Sequence, residues 1–304
     1  MRVLAMRVFA VLLTINLALA SASYAQELNP RVYWPLPKDT NVLVFSYQNS
    51  SGDVVTDPSL PLTGVDSDID FLSASYQRTL SLFGRSANLQ LNLPYSEGRT
   101  EGLVEGEYRR RDTAGFGDAR LRLSINLKGA PSMDRAQLRE LVQNPKTIVG
   151  GSLLVQAPSG EYDPDRFINI GTNRWGVKPA IGMIWPIRLG WLFEAEAGVW
   201  LFGDNDEFVG QTREQDAIVS TEVHLIRLIT PRVWASLDGN YYTGGRTSID
   251  GNQRADLQRN ARMGVTLYVA LKGGHAVRGS YSSGVVTESG GDYEIINISY
   301  VYAW

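Results

Sequence analysis

Apolar and polar residues alternate along this chain with a period of two, over stretches too regular for a helix. Ala119, Leu121, Leu123, Ile125 and Leu127 alternate with Asp118, Arg120, Arg122, Ser124, Asn126 and Lys128. A helix would scatter these charges around its axis, whereas a strand gathers them on one face. The same reading holds for Ala87 to Leu93, where leucines oppose Asn88, Gln90 and Asn92. It holds again for Trp191 to Leu201 against Glu194 and Glu196, and for Val219 to Leu225 against Glu222 and His224. Further along, Val233 to Tyr241 oppose Asp238, Ala261 to Val269 oppose Arg262, and Val277 to Val285 oppose Arg278. Weaker alternation runs through 41–49, 69–82, 147–158, 174–186 and 293–304. The pattern predicts an all-β chain of about twelve strands, each long enough to cross a bilayer at a tilt.

The connections fit a transmembrane antiparallel up-and-down β-barrel, whose periplasmic turns are short and external loops long. Counted from Asn41, the even-numbered connections 82–86, 186–190, 230–232 and 272–275 are short. The odd ones, 49–68, 95–115, 158–173, 203–215 and 243–258, are longer, and 287–292 is the shortest of them. Residues 129–147 break the rule: near 131–145 the sequence predicts a short helical insertion on the periplasmic side. A soluble β-sandwich also alternates, but its strands are shorter and its apolar faces meet each other.

The N-terminus changes the compartment. Arg2 and Arg7 precede an apolar run from Val8 to Ala20, and Ser23-Tyr24-Ala25 places small residues at the two positions a signal peptidase reads. Residues 1–25 are therefore expected to be a cleaved signal peptide, and 26–304 the barrel. The apolar run is too short for a membrane anchor. The chain has no cysteine, so neither a lipid anchor nor a disulfide is available. Its formal net charge of −3 excludes the basic face that a nucleic-acid partner requires. Aromatic residues at strand ends, Trp175, Trp191, Trp200 and Trp234 among them, suit the headgroup level.

Several loops are dense in turn formers: 158–164, the run Asn169-Ile170-Gly171-Thr172-Asn173-Arg174-Trp175, and Lys178-Pro179. With 198–205, 213–216, 241–245, 260–264, Leu93-Pro94-Tyr95, 115–118 and 126–131, they resemble the outer-membrane proteins grouped as the MetA-pathway of phenol degradation family. The resemblance covers most of the mature chain. It implies a barrel in the cell outer membrane and an uptake role, with aromatic or hydrophobic catabolic solutes as the class.

Strand parity predicts that Arg120, Arg122, Lys128, Glu194, Glu196, Glu222, His224, Asp238, Arg262 and Arg278 point into the lumen. Such a ladder either lines a narrow aqueous path or forms a salt-bridged filling. The external-loop candidates are Asn169, Asn173, Arg174, Trp175, Asp204 and Asn205, which either meet solute or lipopolysaccharide or tie the loops into a lid. The acidic run 204–207 reads as a solvated turn, and no metal or cofactor is expected. With two histidines and no Gly-x-Ser-x-Gly elbow, no catalytic residue is assigned. Three functions stay open: a channel for passive uptake of small molecules, a non-transporting barrel for envelope structure or surface interaction, and a lipid-modifying hydrolase. The expected partners are outer-membrane lipid, lipopolysaccharide, a small solute and the barrel-assembly machinery, with the protein a monomer. The alternating aromatic end, Tyr300, Tyr302 and Trp304, resembles the signal that this machinery reads.

Overall fold

The computed structural model describes residues 28–55, 62–104, 107–166 and 169–304. The expected signal peptide and the mature start at Gln26 lie outside the described residues. The elements are β1 (Asn41–Val55), β2 (Leu62–Leu82), β3 (Arg85–Val104), β4 (Glu107–Phe116), β5 (Arg120–Lys128), α1 (Arg135–Gln143) and β6 (Ile148–Gln156). They continue as β7 (Gly176–Arg188), β8 (Trp191–Phe202), β9 (Asn205–Phe208), β10 (Gln211–Gln215), β11 (Ile218–Thr230) and β12 (Val233–Gly244). The last are β13 (Thr247–Ile249), β14 (Asn252–Gln253), β15 (Gln258–Ala270), β16 (His275–Val286) and β17 (Gly290–Ala303).

Each wall strand pairs antiparallel with its neighbours in sequence, and β17 returns to β1 in the register Val42↔Ala303. Asn41 and Trp304 exchange backbone hydrogen bonds of 3.1 and 3.0 Å across this seam. β3 pairs with β5 through Ala87–Asn92 and with β4 from Tyr95 outward. β4 and β5 are thus one wall strand interrupted at Gly117-Asp118-Ala119, so the thirteen segments of the sheet make twelve staves. The twelve staves close through the β1–β17 and β2–β3 pairings, as a bilayer demands, and β4 pairs with β3 alone. The outer face of the barrel exposes Phe45, Leu72, Ile181, Leu237, Met263 and Ile298. That apolar band suits lipid, and the protein is an outer-membrane β-barrel.

Some expected loops are strands. The β1–β2 ladder extends to Asp53↔Asp66, and the β3–β4 ladder to Val104↔Glu107, through regions read as the loops 49–68 and 95–115. The register there sets Arg99 opposite Asp112, 3.5 Å apart, and Glu101 opposite Arg110. Both faces of these projecting hairpins are polar, so they carry no apolar alternation. Loops 203–215 and 243–258 contribute a second, four-stranded sheet in the order β14-β13-β10-β9. The short β2–β3 turn is Phe83-Gly84 with φ of 51° and 73°, the left-handed pair that a two-residue hairpin requires. The insertion at 129–147 holds α1, begun by a capping box in which Asp134 and Gln137 exchange bonds of 2.8 and 3.0 Å.

Candidate functional site

The N-terminal segment ahead of β1 runs inside the barrel. Pro30, Pro35 and Pro37 deny it a ladder, and Arg31 adopts a positive φ of 70°. Its Tyr33 is 4% exposed, packed with Ile148, Ile184, Leu192 and Ile226 from the inner wall and with Met133 and Leu141 from the insertion. Leu138 of α1 packs on the same cluster. The wall is shaped for this ring: a Cβ at Gly150 or at Gly182 would collide with it from either side. The Arg31 guanidinium lies 4.4 Å from the Trp34 ring centre and 5.4 Å from that of Trp234. Trp234 in turn stacks on Tyr268 at 5.4 Å.

Outward from this apolar mouth comes a charged tier. Glu194 accepts the Arg31 backbone N–H at 2.6 Å, and Glu196 accepts the Tyr33 hydroxyl at 2.7 Å. The register sets Glu196 directly opposite Glu222, which would repel alone. Lys178 Nζ lies 3.2 Å from each of these carboxylates and offsets their repulsion. Next, His224 Nδ1 meets Asp238 Oδ1 at 2.8 Å, and Thr266 donates to Asp238 Oδ2 at 2.7 Å. Polar contacts thus run from Tyr33 through Glu196, Lys178 and Glu222 toward His224, whose Nε2 is 3.9 Å from Glu222 Oε2, and on to Asp238 and Thr266. Buried charges persist when paired and hydrogen-bonded, a condition that Lys178, Glu196, Glu222, His224 and Asp238 meet along the wall, whereas Glu194 Oε1 has no hydrogen-bond partner among the described residues.

Among the other lumenal candidates, Arg262 donates to Ser282 at 3.2 Å and Arg278 to Ser299 at 3.3 Å. Arg120 and Arg122 are half-buried on the same inward parity. Lys128 departs from the expectation and is exposed. A register shift between Asn126 and Lys128 places it opposite Val149, an outward position of β6, so the parity inverts. Tyr33, Arg31 and Lys178 were not among the lumenal candidates. The proline-spaced aromatic pair Tyr33-Trp34 was the available sign of a segment too apolar for a free leader.

A third tier, Leu154, Trp200, Ile218 and Tyr242 with Phe202 beside them, lies toward the external side. Over it sit the loops. Asp118, fully buried at the break between β4 and β5, accepts Gly160 N at 2.9 Å, Gln156 Nε2 at 3.0 Å, Thr172 N at 2.9 Å and Thr172 Oγ1 at 2.6 Å. One carboxylate therefore ties loop 158–172 onto the wall. Asn169 braces that loop through Asp163 and Arg166. Asn173 donates to Asn205 at 3.2 Å, and buried Asn205 donates to the Tyr162 hydroxyl at 2.9 Å. Arg174 is buried 4.6 Å over the Phe202 ring and donates to Gln215. These residues interlock the loops, whereas Trp175 and Asp204 are exposed. In the external sheet, burial pulls the Arg213 guanidinium below its usual value, opposed by the charge of Asp256. Among the described residues no group of His, Asp or Glu is arranged to hold a metal ion.

The profile of the MetA-pathway of phenol degradation family matches residues 46–299. No curated protein matches the chain. Among solved structures, the COG4313 outer membrane channel from Pseudomonas putida F1 superposes with a TM-score of 0.76 at 20% identity, over 91% of this chain and 100% of that one. The transport unit of the autotransporter AIDA-I from Escherichia coli gives 0.52 at 9% identity, over 97% of each chain. The NanC porin gives 0.50 at 7% identity, over 86% of this chain and 98% of that one. These likenesses show a common barrel fold.

Proposed function

Since the chain belongs to the MetA-pathway of phenol degradation family, we propose that it is an outer-membrane channel for passive uptake of small molecules, aromatic or hydrophobic catabolic substrates in particular. The observation that carries this reading is what fills the lumen. The periplasmic half is occupied by a stretch of chain, residues 28–37, seated in the wall by non-covalent contacts to Glu194, Glu196 and an apolar collar. A segment held this way can leave, and its departure would open a path between two aromatic tiers. Trp234 and Tyr268 form one tier, Trp200 and Tyr242 the other. The charged tier between them, Arg262 included, and Arg278 beside Tyr268 offer polar partners to the acid or hydroxyl group of an aromatic solute.

The test is solute entry into proteoliposomes. Phenol and a monoaromatic acid should equilibrate faster than in protein-free vesicles, and removal of residues 26–37 should speed both. Loss of the Arg120 and Arg122 charges should shift ion selectivity. Entry no faster than in protein-free vesicles, with or without the segment, would leave the second reading, a barrel permanently filled and serving envelope structure or surface contact. The close fit of Tyr33 between Gly150 and Gly182 favours that alternative. A hydrolase is the weakest reading. His224 sits inside the wall against Asp238 and Glu222, and among the described residues no serine hydroxyl bonds to it. A deacylation assay with His224→Ala as control should show no turnover in either protein. The reading also takes the protein as a monomer that meets lipopolysaccharide through its external loops.

A further inference from the structure

The outer wall carries a hollow that the lumen does not explain. One hydrogen-bonded row crosses five strands as Trp191, Arg227, Ala235, Leu267 and Gly279, each directly opposite the next. All five point away from the lumen, so the small residues at 235 and 279 leave a depression between larger neighbours. It measures about 500 Å³ and is walled by Leu237, Leu267 and Tyr281. A Cβ placed on Gly279 would meet nothing within 4 Å, so the space there is open.

Two cations gather where Trp191 lines the hollow: Arg227, also in its lining, and Arg188, which reaches it over the Trp191 ring. Arg188 and Arg227 each lie 5.3 Å from the centre of the Trp191 ring. Arg227 donates one bond, to Leu189 O at 3.3 Å. Among the described residues no carboxylate lies within 4 Å of either guanidinium, and both side chains are exposed. Both arginines lie at the short-turn end of the barrel, beside the Leu189-Gly190 turn, which is the periplasmic end. An apolar furrow topped by two unneutralised guanidinium groups beside an interfacial tryptophan matches one occupant in its chemistry. Guanidinium forks bind phosphate oxygens in pairs, and the furrow takes a hydrocarbon chain.

We infer that this hollow is a binding site for a glycerophospholipid of the periplasmic leaflet, its phosphate held by Arg188 and Arg227 and one acyl chain lying over Ala235 and Gly279. Lipopolysaccharide, in the opposite leaflet, cannot reach these arginines.

The experiment adds palmitoyl-oleoyl phosphatidylglycerol, phosphatidylethanolamine or uncharged diacylglycerol to detergent-delipidated full-length barrel and counts bound lipid by native mass spectrometry. One phospholipid should remain bound, phosphatidylglycerol most tightly, and diacylglycerol should not. The double variant Arg188→Gln with Arg227→Gln should weaken retention at least tenfold. Gly279→Leu, which fills the furrow from open space, should do the same with both arginines in place. Heat-modifiable gel migration checks folding of each; if the double variant does not fold, Arg227→Gln and Gly279→Leu carry the test. Equal retention in all folded variants, equal binding of diacylglycerol, or no retained phospholipid at all would overturn the assignment.

Discussion

Replacing Tyr33 by alanine should convert a closed barrel into an open one, and the size of the effect follows from its surroundings. The ring is 4% exposed, enclosed by Gly150 and Gly182, and its hydroxyl bonds to Glu196 at 2.7 Å and contacts Ser152 at 3.2 Å. Removing a buried aromatic ring costs roughly 3–5 kcal/mol. If that cost falls on the seated segment alone, then at about 1.4 kcal/mol per factor of ten the population with the segment out rises by roughly 10² to 4 × 10³. Tyr33→Phe keeps the ring and loses the hydrogen bond to a charged acceptor, worth roughly 1.5–3 kcal/mol, so it should raise that population by about 10 to 100. Single-channel recording in planar bilayers reads both as open probability. The order should be parent, then phenylalanine, then alanine. The reasoning fails if the alanine variant conducts no more often than the parent, or if the phenylalanine variant equals the alanine one. The second result would mean that the ring contributes nothing to closure.

Three other perturbations follow from the same contacts. Lys178→Met should strand Glu196 and Glu222 face to face and destabilise the barrel by about 3–5 kcal/mol; the midpoint of the heat-induced gel shift should fall, and Glu222→Gln should partly restore it. Asp118→Ala removes the three bonds that hold Gly160 and Thr172 of loop 158–172 to the wall, at a cost of about 2–4 kcal/mol, and leaves those of Ser159 and Glu161. External protease should then cut within 158–172 in intact cells, where the parent resists. Deleting Tyr302 to Trp304 removes the Asn41 exchange and the stack of Tyr302 on His275 at 4.8 Å, so the product should be degraded in the periplasm instead of appearing in the outer membrane.

The barrel was legible because lipid forces a strict rule on the wall. Every second residue from Leu121 to Leu127 must be apolar, and the twelve-stave count followed from repeating that rule. The rule weakens wherever lipid is absent. Arg99 and Asp112 pair in a hairpin with two polar faces, so the ladder there leaves no alternation to read. Lys128 shows the second limit: a bulge costs one residue and inverts the parity, and no residue type announces it. The interior was half legible. Glu194, Glu222, His224, Asp238 and Arg262 were placed inward by parity, and all are buried. Lys178, which meets Glu196 and Glu222 on the next two staves, was not so placed, because segment 174–186 alternates only weakly. Tyr33 belongs to no strand at all, and only the glycine cradle at 150 and 182, visible once the strands are in register, shows where it sits.

The most direct measurement locks the N-terminal segment in place. A Cβ on Gly150 would lie 2.9 Å from Tyr33 Cγ. The two Cβ atoms of a Tyr33→Cys, Gly150→Cys pair would therefore be at most about 4.4 Å apart, within disulfide reach. The chain has no other cysteine to compete. Entry of phenol and a monoaromatic acid into proteoliposomes should be near the protein-free rate when the pair is oxidised and rise at least tenfold on reduction. Equal entry in the oxidised and reduced protein would contradict a channel closed by this segment.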